Sequence, residues 1–208
     1  MSSVLPAMLT HLEITFAGVL MAAVLGLPAA ATLIGHPRTQ RVVFVIIDAI
    51  QTVPTLAMLT FVMLLFGLND RTVVTAIFLY SLFPIIRNTY IGLTSVDAGT
   101  IRAGRGIGMK PAQIFTKIRF PLAMPMILTG VRLAIVSALG IATTGVFIGS
   151  GGLGMLIWRG IQTRNMQMLF SGAIPVSLLA ILFEYVLGFA EKRLTKKASK
   201  GGTQHEKA

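Results

Sequence analysis

The sequence predicts an all-α polytopic membrane protein with five transmembrane helices, and three observations carry that prediction. Hydrophobic residues make up 54% of the 208-residue chain and charged residues only 12%, where about 25% charged is usual in a soluble domain. The mean hydropathy is +0.81. Apolar stretches of roughly 20 residues, the length that crosses about 30 Å of hydrocarbon, alternate with short polar or basic breaks.

The same composition excludes several function classes. A net charge of +11 would point to nucleic acid in a soluble protein; in a polytopic one, Lys and Arg collect in cytoplasmic loops and set orientation, so no nucleic-acid partner is expected. With no cysteine, disulfides, thiol catalysis and Cys metal sites are ruled out. His11, His36 and His205 have no ligand spacing, so no metal site is expected. No Ser/His/Asp set or H-E-x-x-H motif supports a hydrolase. A cleaved signal peptide is not expected, because no Lys or Arg precedes the first apolar run.

The first span covers about Leu12 to Ile34. Gly18, Ala22, Gly26 and Ala30 recur every four residues in it, a stripe of small side chains that lets helices approach closely. The break His36-Pro37-Arg38-Thr39-Gln40-Arg41 leads to the second span, about Val42 to Phe66. There Asp48, Gln51, Thr52 and Thr55 share one helical face, and Pro54 is expected to kink the helix. Polar groups at membrane depth face a bundle interior or a wet cavity. This stripe therefore either lines a pathway or forms a buried hydrogen-bond network.

The third span runs from about Val73 to Leu93, with Arg87 reaching toward the interface. A polar connection, residues 94–121, separates it from the fourth span, about Leu122 to Ile148, which contains Pro125 and Arg132. The turn Gly149-Ser150-Gly151-Gly152-Leu153-Gly154 follows. Gly149, Gly151 and Gly154 satisfy G-x-G-x-x-G, but a membrane helix precedes them where a dinucleotide site needs a strand. Gly149, Gly151, Gly152 and Gly154 thus read as a tight turn at the outer mouth. The fifth span covers about Met168 to Ala190. Arg132 and Glu184 are expected to pair within the membrane, with Asp48 as the competing partner. Residues 1–194 form one transmembrane domain, and 195–208 a basic tail expected to be disordered.

Basic residues settle the expected orientation. With the Gly104–Pro121 island inside, fourteen Lys and Arg lie on the inner side and three, Arg71, Arg159 and Arg164, on the outer side. The N-terminus is then outside and the C-terminus inside.

The island itself carries a frame. From Gly108, nine residues precede Ile118, and Arg119, Phe120 and Pro121 follow. This G-x9-I-x-x-P spacing resembles the loop of ABC importer permeases, written E-A-A-x3-G-x9-I-x-L-P; Arg102-Ala103-Gly104 stand at its E-A-A, with arginine in place of the acid. Asp48 to Ala57, Leu82 to Tyr90, Gly104 to Pro111 and Phe147 to Gly154 are similar to permease subunits of the quaternary-amine importers, which move glycine betaine, choline and carnitine. The resemblance runs from about Leu20 to Leu194.

That resemblance implies a MetI-like permease core in a bacterial cytoplasmic membrane, paired with a second permease, identical or paralogous. It also implies two cytoplasmic ATPase subunits that bind ATP and Mg, an external substrate-binding protein, and no cofactor or catalysis in this chain. A short helix around Ala103 to Ile114 would enter a groove of the ATPase. The implied coupling residues are Arg102, Ala103, Gly104, Gly106, Gly108, Met109, Pro111, Ile114, Phe115, Ile118 and Pro121; Asp48, Gln51, Thr52, Pro54 and Thr55 would line the path. The chain has no Walker A sequence, so its energy comes from a partner or a gradient. An amino-acid importer permease and a gradient-driven carrier are the alternatives, the latter disfavoured by the absence of an inverted repeat.

Overall fold

The computed structural model describes residues 4–202, with side chains placed through residue 196. Among these residues there is no strand. The long helices are α1 (Val4–Thr32), α4 (Asp70–Thr94), α7 (Phe120–Thr144) and α9 (Met166–Gly202). A bent pair, α2 (Pro37–Thr52) and α3 (Thr55–Phe66), supplies the remaining apolar segment, which makes five crossings if the pair is counted as one.

Helix α4 is the centre of the bundle and packs against both α1 and α7, which also touch each other. Close approach here depends on small residues, because lipid tails are as apolar as Leu and helices associate in membranes through contact and hydrogen bonding. Gly18, Ala22, Gly26 and Ala30 of α1 are all buried. A Cβ on Gly18 would lie 2.5 Å from Ile77 Cγ2, and one on Gly130 of α7 would lie 2.6 Å from the Pro84 carbonyl oxygen of α4. The core between these helices contains Ile14, Leu59, Ile77, Ile85, Ala134 and Ala138. By contrast α9 leaves Phe170, Ile174, Leu178, Leu182, Val186 and Phe189 exposed.

Four sequence expectations need correction. The second span is broken, not kinked: α2 and α3 meet at 102°. Proline disfavours the helical region for the residue before it, and Val53 accordingly lies at φ −66, ψ 129. Pro54 then starts α3 from an extended conformation, φ −59, ψ 140. The fourth helical segment begins at Pro111 and continues to Ile148, eleven residues earlier than the Leu122 expected. A π-helical turn, Phe115–Arg119, joins α6 (Pro111–Ile114) to α7. Pro121 has no N–H for the Lys117 carbonyl, a standard cause of such irregularities. A further helix, α8 (Leu153–Gln162), follows the glycine turn. Finally, α9 extends through Gly202, so the first part of the tail expected to be disordered is helical; 203–208 lie outside the described residues.

Candidate functional site

The break in the second span opens onto a cavity of ≈660 Å³ lined by Gln51, Thr52, Val53, Pro54 and Thr55, by Tyr80, Phe83 and Pro84 of α4, and by Leu133, Ser137, Gly140, Ile141 and Thr144 of α7. Its chemistry comes from the break. Pro54 offers no N–H to the Ile50 carbonyl, which accepts from Val53 N–H at 3.3 Å. The Thr52 hydroxyl donates to the Ala49 carbonyl at 2.8 Å, and the Tyr80 hydroxyl donates to the Val53 carbonyl. The end of α2 thus brings Gln51 and Thr52 to a cavity walled by the Tyr80 and Phe83 rings, an arrangement that accommodates a small polar or cationic solute.

Asp48 does not join that lining. Its Oδ1 lies 2.8 Å from Arg87 Nη1, and the Arg87 guanidinium carbon lies 5.5 Å from the ring centroids of both Phe44 and Phe83. The polar stripe therefore divides: Gln51, Thr52 and Thr55 reach the cavity with Pro54, and Asp48 is taken up by an ion pair one turn away. Nothing in the sequence pattern linked Asp48 to Arg87, because the two lie 39 positions apart.

Arg132 lies against α9. Its Nη1 is 2.9 Å from Glu184 Oε1 and its Nη2 is 3.2 Å from Glu191 Oε2. Gly188, between these acids on the same face, makes room: a Cβ there would lie 3.0 Å from Nη1. Glu191 was not anticipated as a partner, although its i+7 spacing from Glu184 was visible in the sequence.

The glycine turn is anchored on both sides. Gly149 has φ 76 and Gly152 φ 92, conformations that favour glycine. Gly154 starts α8 against α7, where a Cβ would lie 2.2 Å from the Thr143 carbonyl oxygen; a Cβ on Gly151 would meet Thr10 at 3.1 Å. Ser150, fully buried, donates to Asp70 Oδ1 at 2.6 Å, and Gly151 N–H donates to the same oxygen at 3.2 Å. Asp70 did not figure among the sequence candidates.

The polar loop is a small folded unit. Helix α5 (Ala98–Gly106) is capped by Asp97, whose Oδ2 accepts from Thr100 N–H at 2.7 Å. The Thr100 amide is the main cause that holds the Asp97 carboxyl below its usual range; the Arg102 charge contributes least. The helix ends in a Schellman turn, in which Met109 N–H donates to Gly104 O and Gly108 N–H to Arg105 O. Gly108 supplies the positive φ of 81. Gln113 Oε1 then accepts from Lys110 N–H at 2.8 Å, and Pro111 occupies the first turn of α6, where its missing N–H costs nothing.

The short helix thus lies at Ala98–Gly106 and stops before Ile114, N-terminal to the expected Ala103–Ile114. Ile114 is only 5% exposed and packs inward toward Gly104, whose own Cβ position would clash with Ile118 at 2.8 Å. Its side chain therefore belongs to the loop's own packing. Met109 and Phe115, with Ile114, line a ≈410 Å³ groove that reaches Ala31 of α1 and Ile34 in the turn after it. Ile107, at the turn, is 81% exposed and was not singled out by the sequence. Arg102, Ala103, Pro111 and Pro121 are exposed, Ile118 is half-buried, and Gly106 has open space around it. Arg119 Nη1 ties the loop to the end of α4 through the Leu93 carbonyl at 3.2 Å.

A bundle of helices long and apolar enough to cross a membrane, with an open polar-lined cavity and a folded polar loop, fits a transmembrane transport subunit. The chain belongs to the family described as binding-protein-dependent transport system inner membrane component, whose model matches residues 18–196. It is 40% identical, over 92% of its length and 84% of the relative's, to the glycine betaine/carnitine/choline transport system permease protein OpuCD of Bacillus subtilis. It is 35% identical to the osmoprotectant import permease protein OsmW of Salmonella typhimurium, over 90% of this chain and 89% of that one. Among solved structures, the MetNI methionine ABC transporter in an inward-facing conformation aligns with TM-score 0.79 and 22% identity, covering 95% of this chain and 97% of that chain. At that identity the likeness shows a shared fold.

Proposed function

We propose that this chain is the transmembrane permease subunit of an ATP-driven importer for quaternary-amine osmoprotectants of the glycine betaine, choline and carnitine type. The observation that carries the reading is the 40% identity, over nearly the full length of both chains, to a permease named for those solutes. A cavity lined by Gln51, by the hydroxyl residues Thr52, Thr55 and Ser137, and by the aromatic residues Tyr80 and Phe83 suits a solute that combines a bulky cation with a small polar group.

In this reading Gln51, Thr52, Pro54 and Thr55 line the path, and the glycine turn with α8 forms its outer rim. Two such permeases, identical or paralogous, enclose the path together. An external binding protein delivers solute, and cytoplasmic ATPase subunits bind ATP and Mg and dock on Ala98–Phe115, with Ile107 as the outward apolar contact. The bacterial cytoplasmic membrane is the location, with the N-terminus outside, as the fourteen-to-three distribution of basic residues favours.

The test is uptake in proteoliposomes that hold the assembled permeases, ATPase and binding protein. Labelled betaine, choline and carnitine should accumulate only with internal ATP. Accumulation driven by an ion gradient without ATP would replace this reading with a secondary carrier, and uptake of methionine but not of the amines would replace the substrate class.

A further inference from the structure

Two helices face each other with matched side chains near the broken span. Helix α2 presents Phe44 and Asp48, one turn apart, and α4 presents Phe83 and Arg87, also one turn apart. The Arg87 guanidinium lies 5.5 Å from each ring centroid and 2.8 Å from Asp48 Oδ1. Two aromatic faces and one carboxylate around a cation form a recognition set for a cationic group, a quaternary ammonium included. A pair that only neutralised two charges at membrane depth would need the charges and not the rings.

We propose that Phe44, Phe83 and Asp48 form a station for the quaternary ammonium group of the transported solute, and that Arg87 occupies it as an internal competitor. The inference rests on the permease reading above and adds a site to it. Both charged side chains remain reachable, at 41% exposure for Arg87 and 46% for Asp48, and arginine reaches the station on a long rotatable stem. Phe83 also lines the ≈660 Å³ cavity at the break. A cation held in that cavity therefore reaches the station along one shared ring. When the solute's ammonium group enters, Arg87 leaves Asp48 and swings away; when the solute departs, Arg87 returns and closes the route.

The experiment is binding of tetramethylammonium to the assembled transporter in lipid nanodiscs, without binding protein, read by saturation-transfer NMR. Removing the competitor with Arg87→Gln should tighten the apparent Kd roughly threefold to tenfold, and Phe83→Leu or Phe44→Leu should weaken it by a similar factor, the range expected of a cation–π contact. tert-Butanol, a neutral probe of similar size and shape, should show no gain in Arg87→Gln, because neither the carboxylate nor the ring faces attract an uncharged group in this way. Binding unchanged or weakened in Arg87→Gln, or an equal gain for tert-butanol, would overturn the station. Should Arg87→Gln fail to assemble, Phe83→Leu decides alone, because it unpairs no charge: unchanged binding there rejects the proposal. Betaine uptake by the wild-type transporter separately tests the permease reading, so the two can fail independently.

Discussion

The Ser150 hydroxyl donates to the Asp70 carboxylate at 2.6 Å, joining the glycine turn to the first turn of α4 across eighty positions of sequence. Ser150 is fully buried, whereas the Asp70 residue is exposed enough to be solvated. The two partners should therefore respond differently to deletion. Asp70→Ala strands a buried hydroxyl and a backbone N–H and should cost about 1–3 kcal/mol. Ser150→Ala frees a carboxylate that water can take up and should cost less. Thermal unfolding of the purified protein in nanodiscs checks this order, and equal losses would contradict it.

Arg132 holds two acids, Glu184 and Glu191. Glu184→Gln leaves Glu191 in place, so its loss should be partial; Arg132→Met strands both acids and should cost more, and the double variant should lose less than the sum of the two. Contacting pairs couple by about 0.5–3 kcal/mol in such cycles. Strict additivity in thermal stability would mean that the ion pair contributes nothing.

Three glycines differ in what an added methyl would meet. At Gly154 and Gly130 a Cβ runs into backbone carbonyls at 2.2 and 2.6 Å, which cannot yield without moving a helix. Alanine at either position should cost about 1–3 kcal/mol from overpacking and lower the yield of folded protein. At Gly106 a Cβ meets nothing within 4 Å, and the position is helical. Gly106→Ala should stabilise α5 by up to about 1 kcal/mol. Hydrogen exchange of the α5 amides reads the gain at Gly106, and thermal unfolding reads the losses at Gly130 and Gly154.

Asp97 predicts a pH effect outside the membrane. Its carboxyl is held below the ordinary value of 3.8, chiefly by the Thr100 amide. A carboxyl with a lowered folded pKa contributes stability that is fully present above its unfolded value and lost as pH falls through the folded one. The cap on α5 should thus be intact at neutral pH and released only under strong acid. NMR titration of the Asp97 carboxyl should give a midpoint below 3.8, and Asp97→Asn should remove the acid-dependent shift of the Thr100 amide. A midpoint at or above 3.8 would remove the cap from the account.

Much of the fold was legible because membrane helices are encoded locally. Runs of apolar residues, the small-residue stripe of α1 and the proline at 54 each report on a single segment and its neighbours. The Schellman turn is also local, since Gly108 and its bonding partners lie within five residues. The break at 102° was only half legible: Pro54 marked the place, but the angle depends on how α3 packs against α4. The same limit explains why Ile107 was missed. Nothing in its identity says that the turn lifts it out while Ile114 folds inward.

The sequence by itself determined that this is a multi-helix membrane protein with a basic, glycine-framed loop, because composition and short-range spacing suffice for those properties. Only the tertiary structure decided that Asp48 meets Arg87 between two phenylalanine rings, that Glu191 shares Arg132, and that Asp70 holds the glycine turn. Each of these contacts joins separate helices, and which side chains meet across a crossing follows from helix rotation and depth. Those are fixed by packing of the whole bundle, which no single segment specifies.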